Sequence, residues 1–221
     1  MSAFEPHLSI LPPEQREVWP LLAPGASMGL VLYGGTAVAL RLGHRQSVDF
    51  DFFTEKSLDP KEVEREFPFI AGSRLIQDQP NTLSVMAQMT QGTVKISFFG
   101  GISHGRVGVP DRTPDGVICI ASILDLLATK LKVIQQRIES KDYRDIAAIL
   151  DSGIRLEMGL GAAQALYGAS FQPSEAVKAL VCFEGGDLSS LGNRERQILI
   201  SAAGSMRSVP ALGVASRSLS A

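Results

Sequence analysis

The stretch LYGGTAVALRLGHRQSVDFDFF, residues 32–53, carries the clearest structural pattern of the chain. Residues 30–33 form a short apolar run that ends at a Gly-Gly pair, which is typical of a buried strand that meets a turn. Residues 36–42 have the apolar spacing of a helix, and residues 47–53 alternate polar with apolar side chains as a strand does. The stretch therefore predicts a strand, a turn, a helix and a second strand in succession.

Asp49 and Asp51 lie two positions apart in the second of these strands. Side chains at this spacing leave the same face of a strand, with their Cα atoms about 6 to 7 Å apart. Two carboxylates so arranged repel each other unless a cation lies between them, and Mg²⁺ prefers carboxylate and phosphate oxygens. One interpretation is a site for one or two Mg²⁺ ions that position a triphosphate. The other is a strand face that is simply solvated.

The glycine pair supplies the complementary half of such a site. Gly34 and Gly35 have no Cβ atoms, so the backbone there can approach a phosphate group closely. The helix that begins near Thr36 directs its free N–H groups and its positive dipole end to the same place, and the Thr36 hydroxyl is a further donor. A Gly-Gly pair alone is more often just a tight turn. Its combination with the carboxylates of the next strand is more specific and indicates an NTP site.

Beyond this unit the pattern changes from strands to helices. Strand-like runs at 73–76, 82–87 and 93–99 are followed by helical segments from residue 122 onward. We therefore predict an α+β fold with a mixed sheet. The predicted regions are an α/β core at 1–118, a helical region at 119–204 and a tail at 205–221 whose Ser, Ala and Gly content is compatible with flexibility.

Composition limits the classes of function. The chain has 221 residues, 45% of them hydrophobic, and a formal charge of −2, which argues against a broadly basic nucleic-acid-coating surface but not against a local basic groove. Cys119 and Cys182 are far apart and lack metal-ligand spacing, which indicates a reducing compartment. Residues 1–13 do not resemble a signal peptide, and no run approaches the roughly 18 to 20 apolar residues of a membrane span. We expect a cytoplasmic protein with no membrane partner.

Three segments resemble a known family. Tyr33-Gly34-Gly35, a spacer of thirteen residues and Asp49-Phe50-Asp51-Phe52 look like the signature of the DNA polymerase β-like nucleotidyltransferase superfamily. Residues 32–53 as a whole are closer still to the AbiEii/AbiGii-type toxin nucleotidyltransferases. The similarity continues in Ala-Thr-Lys-Leu at 128–131 and Lys-Asp-Tyr-Arg-Asp at 141–145, and it covers roughly residues 30–150.

The resemblance implies a nucleotidyltransferase fold, a mixed sheet flanked by helices, whose active site the C-terminal helical region completes. It implies that Asp49 and Asp51 are catalytic metal ligands, that Lys130 contacts the nucleotide phosphates and that Asp142 assists from the following helix. From the residues alone, a solvated helix face is the commoner role for a lysine such as Lys130. Asp142 is equally compatible with an N-cap or a first-turn acid that the helix dipole stabilises.

Two further positions bear on activity. Arg45 matches an arginine of the family pattern just before the carboxylates, and it either binds phosphate or neutralises Asp49. Many polymerase β-like enzymes carry a third carboxylate on a later strand, and Ser97 lies where that carboxylate is expected. A serine hydroxyl is a poor substitute for a charged metal ligand or a general base. Either another acid such as Asp142 fills the role, or catalysis is weakened or lost.

Two functions from different classes follow. The first is a Mg²⁺-dependent transferase that moves a nucleoside monophosphate from an NTP to an acceptor. The resemblance implies an RNA such as a tRNA end as acceptor, and a toxin restrained by an antitoxin protein. The second is a catalytically weak or inactive module of the same fold that binds a nucleotide or a protein. Ser97 favours the second function, whereas Lys130 and the intact Asp49 and Asp51 pair favour the first.

Overall fold

The structure, a computed structural model, describes residues 4–220 and divides them into two compact units. The first unit consists of residues 4–105, 109–122 and 216–220, and the second consists of residues 106–108 and 123–215. The main chain enters the second unit after Ser122, where the sequence predicts the helical segments to begin. Residues 1–3 and 221, which the predicted regions include, lie outside the described residues.

The first unit combines helices with strands. Its elements are α1 (Pro13–Val18), α2 (Pro24–Met28), β1 (Val31–Tyr33), α3 (Gly34–Leu42), β2 (Asp49–Phe53), α4 (Pro60–Glu66), β3 (Arg74–Gln79), β4 (Thr82–Met89), β5 (Gly92–Phe99), β6 (Asp111–Arg112) and β7 (Cys119–Ile120). Among the described residues these strands form one mixed sheet of seven strands in the order β3-β4-β5-β2-β1-β7-β6. The expected α+β fold with a mixed sheet is confirmed.

Strand β2 lies in the middle of this sheet. It pairs antiparallel with β1, to which α3 connects it, and parallel with β5. Phe50 and Phe52 of β2 are fully buried, and the Phe52 ring lies 5.7 Å from that of Phe98 on β5. Because side chains alternate along a strand, Asp49 and Asp51 leave the opposite face. A slip of one residue would bury both carboxylates and expose both phenylalanine rings, so the packing fixes which face carries the acids.

The second unit is helical throughout its regular elements. These are α5 (Ile123–Val133), α6 (Ser140–Asp151), α7 (Leu156–Tyr167), α8 (Pro173–Val181) and α9 (Asn193–Ser205). Leu127 and Leu131, four residues apart on α5, are fully buried, as is Leu160 on α7. This i, i+4 spacing aligns apolar side chains along one stripe of a helix and accounts for the core of the unit.

Some local predictions differ from the structure. Gly25 and Ser27 are of residue types that commonly interrupt helices, but both belong to α2, which Pro24 opens at a position where its missing N–H costs nothing. Helix α3 begins at Gly34 rather than at Thr36. Strands β6 and β7 were not predicted, since two residues are too few to establish an alternating pattern. Across residues 4–220, none of the helices combines the length and the apolar character that crossing a bilayer requires.

Candidate active site

Gly34 brings helix α3 and strand β2 close together. It is the first residue of α3 and has a φ of 72°, a conformation that residues with a Cβ rarely adopt. A Cβ at this position would overlap the Asp51 carboxylate. Glycine therefore allows Asp51 to lie directly beside the N-terminus of α3, where main-chain N–H groups have no partner within the helix.

Arg45 lies over the next residue of the same turn. A Cβ on Gly35 would lie 2.5 Å from Arg45 Nη2 and 3.1 Å from Ser47 Oγ. The other terminal nitrogen, Nη1, donates to the Gln46 carbonyl oxygen at 2.8 Å, which holds the guanidinium group in this position. Because Gly35 has no side chain, the Arg45 guanidinium group has room to lie beside the N-terminus of α3. That combination is suited to binding an anion such as phosphate.

Thr36 connects the helix to the carboxylate strand. Its side chain is buried, and its hydroxyl donates to the main-chain oxygen of Asp49. A hydroxyl has one proton to donate, and Thr36 uses it in this bond. The group of Thr36 that can donate to a ligand is therefore its main-chain N–H. The structural role of the hydroxyl is to fix the start of β2 against the first turn of α3.

The two acids of β2 are half-buried and lie on one face, as their spacing predicts. Within residues 4–220 the Asp49 carboxylate makes no hydrogen bond and no ion pair, whereas Asp51 lies against Gly34. The described residues contain no group of three or more His, Cys, Asp or Glu side chains arranged to hold a metal. Mg²⁺ commonly uses one or two carboxylates and completes its shell with substrate phosphates and water. The pair therefore fits this ion in number and chemistry.

The neighbouring strand contributes no third acid at this point. Parallel pairing of β2 with β5 puts Ser97 beside Asp51 and Lys95 beside Asp49. Ser97 is buried, and the Ser84 hydroxyl of β4 donates to its Oγ at 3.0 Å. We call the sheet surface formed by Asp49, Asp51, Lys95 and Ser97 the carboxylate face.

In the second unit Lys130 is the centre of a buried ion-pair cluster. Its Nζ lies 2.7 Å from Asp142 Oδ1 and 2.6 Å from Asp145 Oδ2, and both carboxylates are fully buried. Arg137 donates from Nε to Asp142 Oδ2 at 2.8 Å and from Nη2 to Oδ1 at 3.2 Å. The cluster balances two positive with two negative charges and joins α5 and the turn after it to α6.

The environment of Asp142 keeps it ionised. Burial alone would raise the pKa of its carboxyl group, but the charges of Lys130 and Arg137 and their hydrogen bonds outweigh burial and hold the pKa below its ordinary value. Asp145, the second carboxylate on Lys130, was not among the predicted site residues. Its position three residues after Asp142 on one helix was the sequence signal that could have identified it.

The predicted site residues thus belong to two groups. The first unit brings six of them around one turn and one strand: Gly34, Gly35, Thr36, Arg45, Asp49 and Asp51. Lys130 and Asp142 belong to the second unit, where they pair with each other.

A mixed sheet with a Gly-Gly turn facing a carboxylate pair defines the nucleotidyltransferase class of folds. Residues 21–184 match the family described as "Nucleotidyl transferase AbiEii toxin, Type IV TA system". The chain belongs to this family, which confirms the resemblance that its sequence motifs indicated.

Two individual proteins are similar to this chain. The uncharacterized protein aq_aa25 of Aquifex aeolicus (strain VF5) is 33% identical over 136 residues, which are 60% of this chain and 64% of that protein. The match therefore spans less than two thirds of that relative. A crystal structure of an antigenic nucleotidyltransferase-like protein from Paracoccidioides brasiliensis has a TM-score of 0.55 at 17% identity and covers 88% of this chain and 94% of that one. At this identity the second likeness is one of fold.

Proposed function

We propose that this chain transfers a nucleoside monophosphate from an NTP to a hydroxyl group of an acceptor. The observation that carries the proposal is the convergence of the Gly34-Gly35 turn, the Arg45 guanidinium and the two acids of β2 in the first unit. Membership of a nucleotidyl transferase family supports the same reaction class.

The reaction exchanges one bond at phosphorus for another. The acceptor oxygen forms a bond to the α-phosphorus, the bond from that phosphorus to the α–β bridging oxygen breaks, and pyrophosphate leaves with the electron pair. The acceptor proton passes to a carboxylate of the site or to water. Arg45 and the first N–H groups of α3 are suited to bind phosphate oxygens and to stabilise the charge that develops on them.

Asp49 and Asp51 would hold one or two Mg²⁺ ions. Bound there, Mg²⁺ supplies positive charge that offsets the triphosphate and the charge of the reacting phosphoryl group. Two carboxylates on one face of a strand repel each other, and a divalent cation bound between them would offset that repulsion, which supports this part of the proposal.

Lys130 and Asp142 enter the proposal as catalytic residues because each lies in a segment that resembles a motif of the family, at residues 128–131 and 141–145. Each is also a member of the buried cluster, so removing either changes stability as well as reaction chemistry. Lys130→Arg keeps the charge of the cluster and is therefore the cleaner variant for measuring transfer.

We further propose that the acceptor is RNA, such as a tRNA end, and that an antitoxin protein restrains the activity. The family description names a type IV toxin–antitoxin system, which supports a toxin and an antitoxin partner. Cys119 and Cys182 are free thiols, which supports the reducing cytoplasm as the location.

Transfer is tested by incubating the protein with Mg²⁺, total RNA and each NTP in turn, labelled at the α-phosphate. We expect label on RNA from at least one NTP, with release of an equal amount of pyrophosphate. Label at the γ-phosphate should stay off the RNA, which separates nucleotidyl from phosphoryl transfer. Asp49→Asn should transfer none.

The alternative function is a module of the same fold that binds a nucleotide or a protein without turnover. The observation that favours it is the buried, hydrogen-bonded Ser97 beside Asp51, where an acid would add a metal ligand or a base. Tight Mg²⁺-dependent NTP binding with no labelled product on any RNA or protein fraction would establish this alternative and exclude the transferase.

A further inference from the structure

Lys95 lies on the carboxylate face directly beside Asp49. The two residues are register partners in the parallel pairing of β2 with β5, so their Cα atoms belong to neighbouring strands about 4.8 Å apart and their side chains leave the same face of the sheet. Lys95 is half-buried, whereas its chain neighbours Val94 and Ile96 point into the core and are fully buried. The alternation of the strand thus directs an ammonium group to the surface that carries both acids.

The Lys95 ammonium group has unused hydrogen-bonding capacity. Among residues 4–220 it makes no hydrogen bond and no ion pair, and the same is true of the Asp49 carboxylate. Lys130 provides the contrast, since its Nζ contacts two carboxylates within 2.7 Å. An ammonium group carries three donors, so Lys95 retains them for a ligand.

The charges along this face suit a bound triphosphate. The acids and Lys95 leave it with a single net negative charge, and the buried Ser97–Ser84 pair adds none. A cation bound at the acids would make the face positive, and the Lys95 ammonium group would then be a donor on β5 for a phosphate oxygen.

We propose that Lys95 binds an oxygen of the β- or γ-phosphate of the NTP held at the carboxylate face. The inference rests on the proposed function and assigns Lys95 to triphosphate recognition. Its role is in binding, and it extends the phosphate site from the turn of α3 across to β5.

Calorimetric titration with an NTP and Mg²⁺ tests the assignment. We expect Lys95→Met to weaken NTP binding roughly tenfold, as loss of one charge-assisted hydrogen bond predicts. Lys95→Arg should lose less because it keeps the charge. Lys61→Met is the matched control, since Lys61 is an exposed lysine on α4 of the same unit, and its affinity should equal that of the wild type.

Titration with the corresponding nucleoside monophosphate separates recognition from charge balance. If Lys95 contacts the triphosphate beyond its α-phosphate, Lys95→Met should weaken NTP binding more than monophosphate binding. Equal losses for both ligands would show that Lys95 only offsets Asp49, and would overturn the assignment. The melting temperature of each apo variant reports whether it is folded. If Lys95→Met is not folded, the losses of NTP and monophosphate affinity are compared in Lys95→Arg instead.

The two proposals fail in different ways. Wild-type protein that binds no NTP with Mg²⁺ would overturn the proposed function and this inference together. Wild-type protein that binds NTP, with Lys95→Met binding it equally well, would overturn the inference alone.

Discussion

At the scale of single residues, Gly34 determines how closely strand β2 approaches helix α3. Its backbone has a φ of 72°, and a Cβ would overlap Asp51. Gly72 has nearly the same φ, 75°, but a Cβ there meets nothing within 4 Å. An alanine would therefore be strained in the left-handed backbone conformation at either position. Only at position 34 would its Cβ also overlap a neighbouring side chain.

We expect Gly34→Ala to destabilise the protein clearly more than Gly72→Ala does. An alanine held in the left-handed backbone conformation costs about 1 to 2 kcal/mol at either position. Only Gly34→Ala must also displace the Asp51 carboxylate, which adds to the loss of stability. Urea unfolding of both variants measures the difference, and Gly34→Ala should also weaken Mg²⁺-dependent NTP binding. Equal unfolding free energies for the two variants would show that the turn tolerates a side chain.

Sequence periodicity predicted the positions of site residues within one strand, but not their contacts with residues of other elements. The common face of Asp49 and Asp51 follows from the two-residue period of a strand, and the structure has it as predicted. Lys95 was not recognised as a neighbour of Asp49 because strand register between β2 and β5 is a non-local property. The bond from Thr36 to the Asp49 carbonyl was equally hidden, since it joins two elements.

At the scale of elements, the buried cluster fastens α5 to α6. Removing Lys130 would leave the carboxylates of Asp142 and Asp145 buried without their common cation. An uncompensated buried charge of this kind typically costs about 3 to 5 kcal/mol. We therefore expect Lys130→Ala to be strongly destabilised in urea unfolding.

Lys132 on the same helix is the matched control. Its ammonium group donates to the Ser170 carbonyl oxygen at the surface, so Lys132→Ala should cost about 1 kcal/mol or less. Adding Asp145→Asn to Lys130→Ala should recover part of the lost stability, because it removes one uncompensated charge. If Lys130→Ala and Lys132→Ala unfold at the same urea concentration, the cluster does not stabilise the second unit.

The cluster also predicts a dependence of stability on pH. The pKa of Asp142 is lower in the folded protein than in the unfolded chain, where it is about 3.9, so folding favours the ionised form. Its contribution to stability is therefore complete above the unfolded pKa and is lost as the pH falls through the lower, folded pKa. The difference in unfolding free energy between wild type and Asp142→Asn should be constant above about pH 5 and should shrink below about pH 4.

Denaturant unfolding of both proteins between pH 2.5 and pH 7 measures this difference. A gap that stays constant down to the acid end would mean that the ionisation of Asp142 does not contribute to folding. A gap that widens as the pH falls would contradict the direction of the pKa shift itself.

Helices and strands were predicted well where their patterns are long. Strands β3 to β5 were recognised within a few residues of their bounds, and helices were expected from residue 122 onward, where α5 to α9 lie. Strands β6 and β7 escaped because they exist only through pairing, β7 beside β1 and β6 beside β7. Hydrogen bonds to a neighbouring strand therefore make these residues strands, which a sequence pattern of two residues is too short to indicate.

At the scale of the whole molecule, the end of the chain returns to the first unit. Leu219 is fully buried there, and Glu55 accepts hydrogen bonds from Ser218 Oγ at 2.9 Å and from the Leu219 N–H at 3.0 Å. The sequence assigned residues 205–221 to a tail from their composition. Leu219 stands between serine residues in the sequence, which is too weak a pattern to predict such a contact.

We expect a chain that ends at Ala215 to be less stable by about 2 to 4 kcal/mol, the combined effect of exposing one leucine site and losing hydrogen bonds to a carboxylate. Thermal unfolding of the truncated and complete chains measures the loss. Leu219→Ala should reproduce much of it, whereas Leu21→Ala, at an exposed leucine of the same unit, should have little effect. Unchanged melting of the truncated chain would show that residues 216–220 do not contribute to folding.

The central claim is that the acids of β2 form a site at which Mg²⁺ and an NTP bind together. Calorimetric titration of wild type and Asp49→Asn with each NTP, with and without Mg²⁺, tests it most directly. The Asp49 carboxylate has no partner among the described residues, so its loss should change the unfolding free energy of the apo protein by no more than about 0.5 kcal/mol. We predict tight NTP binding only with Mg²⁺, and at least roughly tenfold weaker binding by folded Asp49→Asn. Equal binding with and without Mg²⁺, or unchanged binding by Asp49→Asn, would contradict the account.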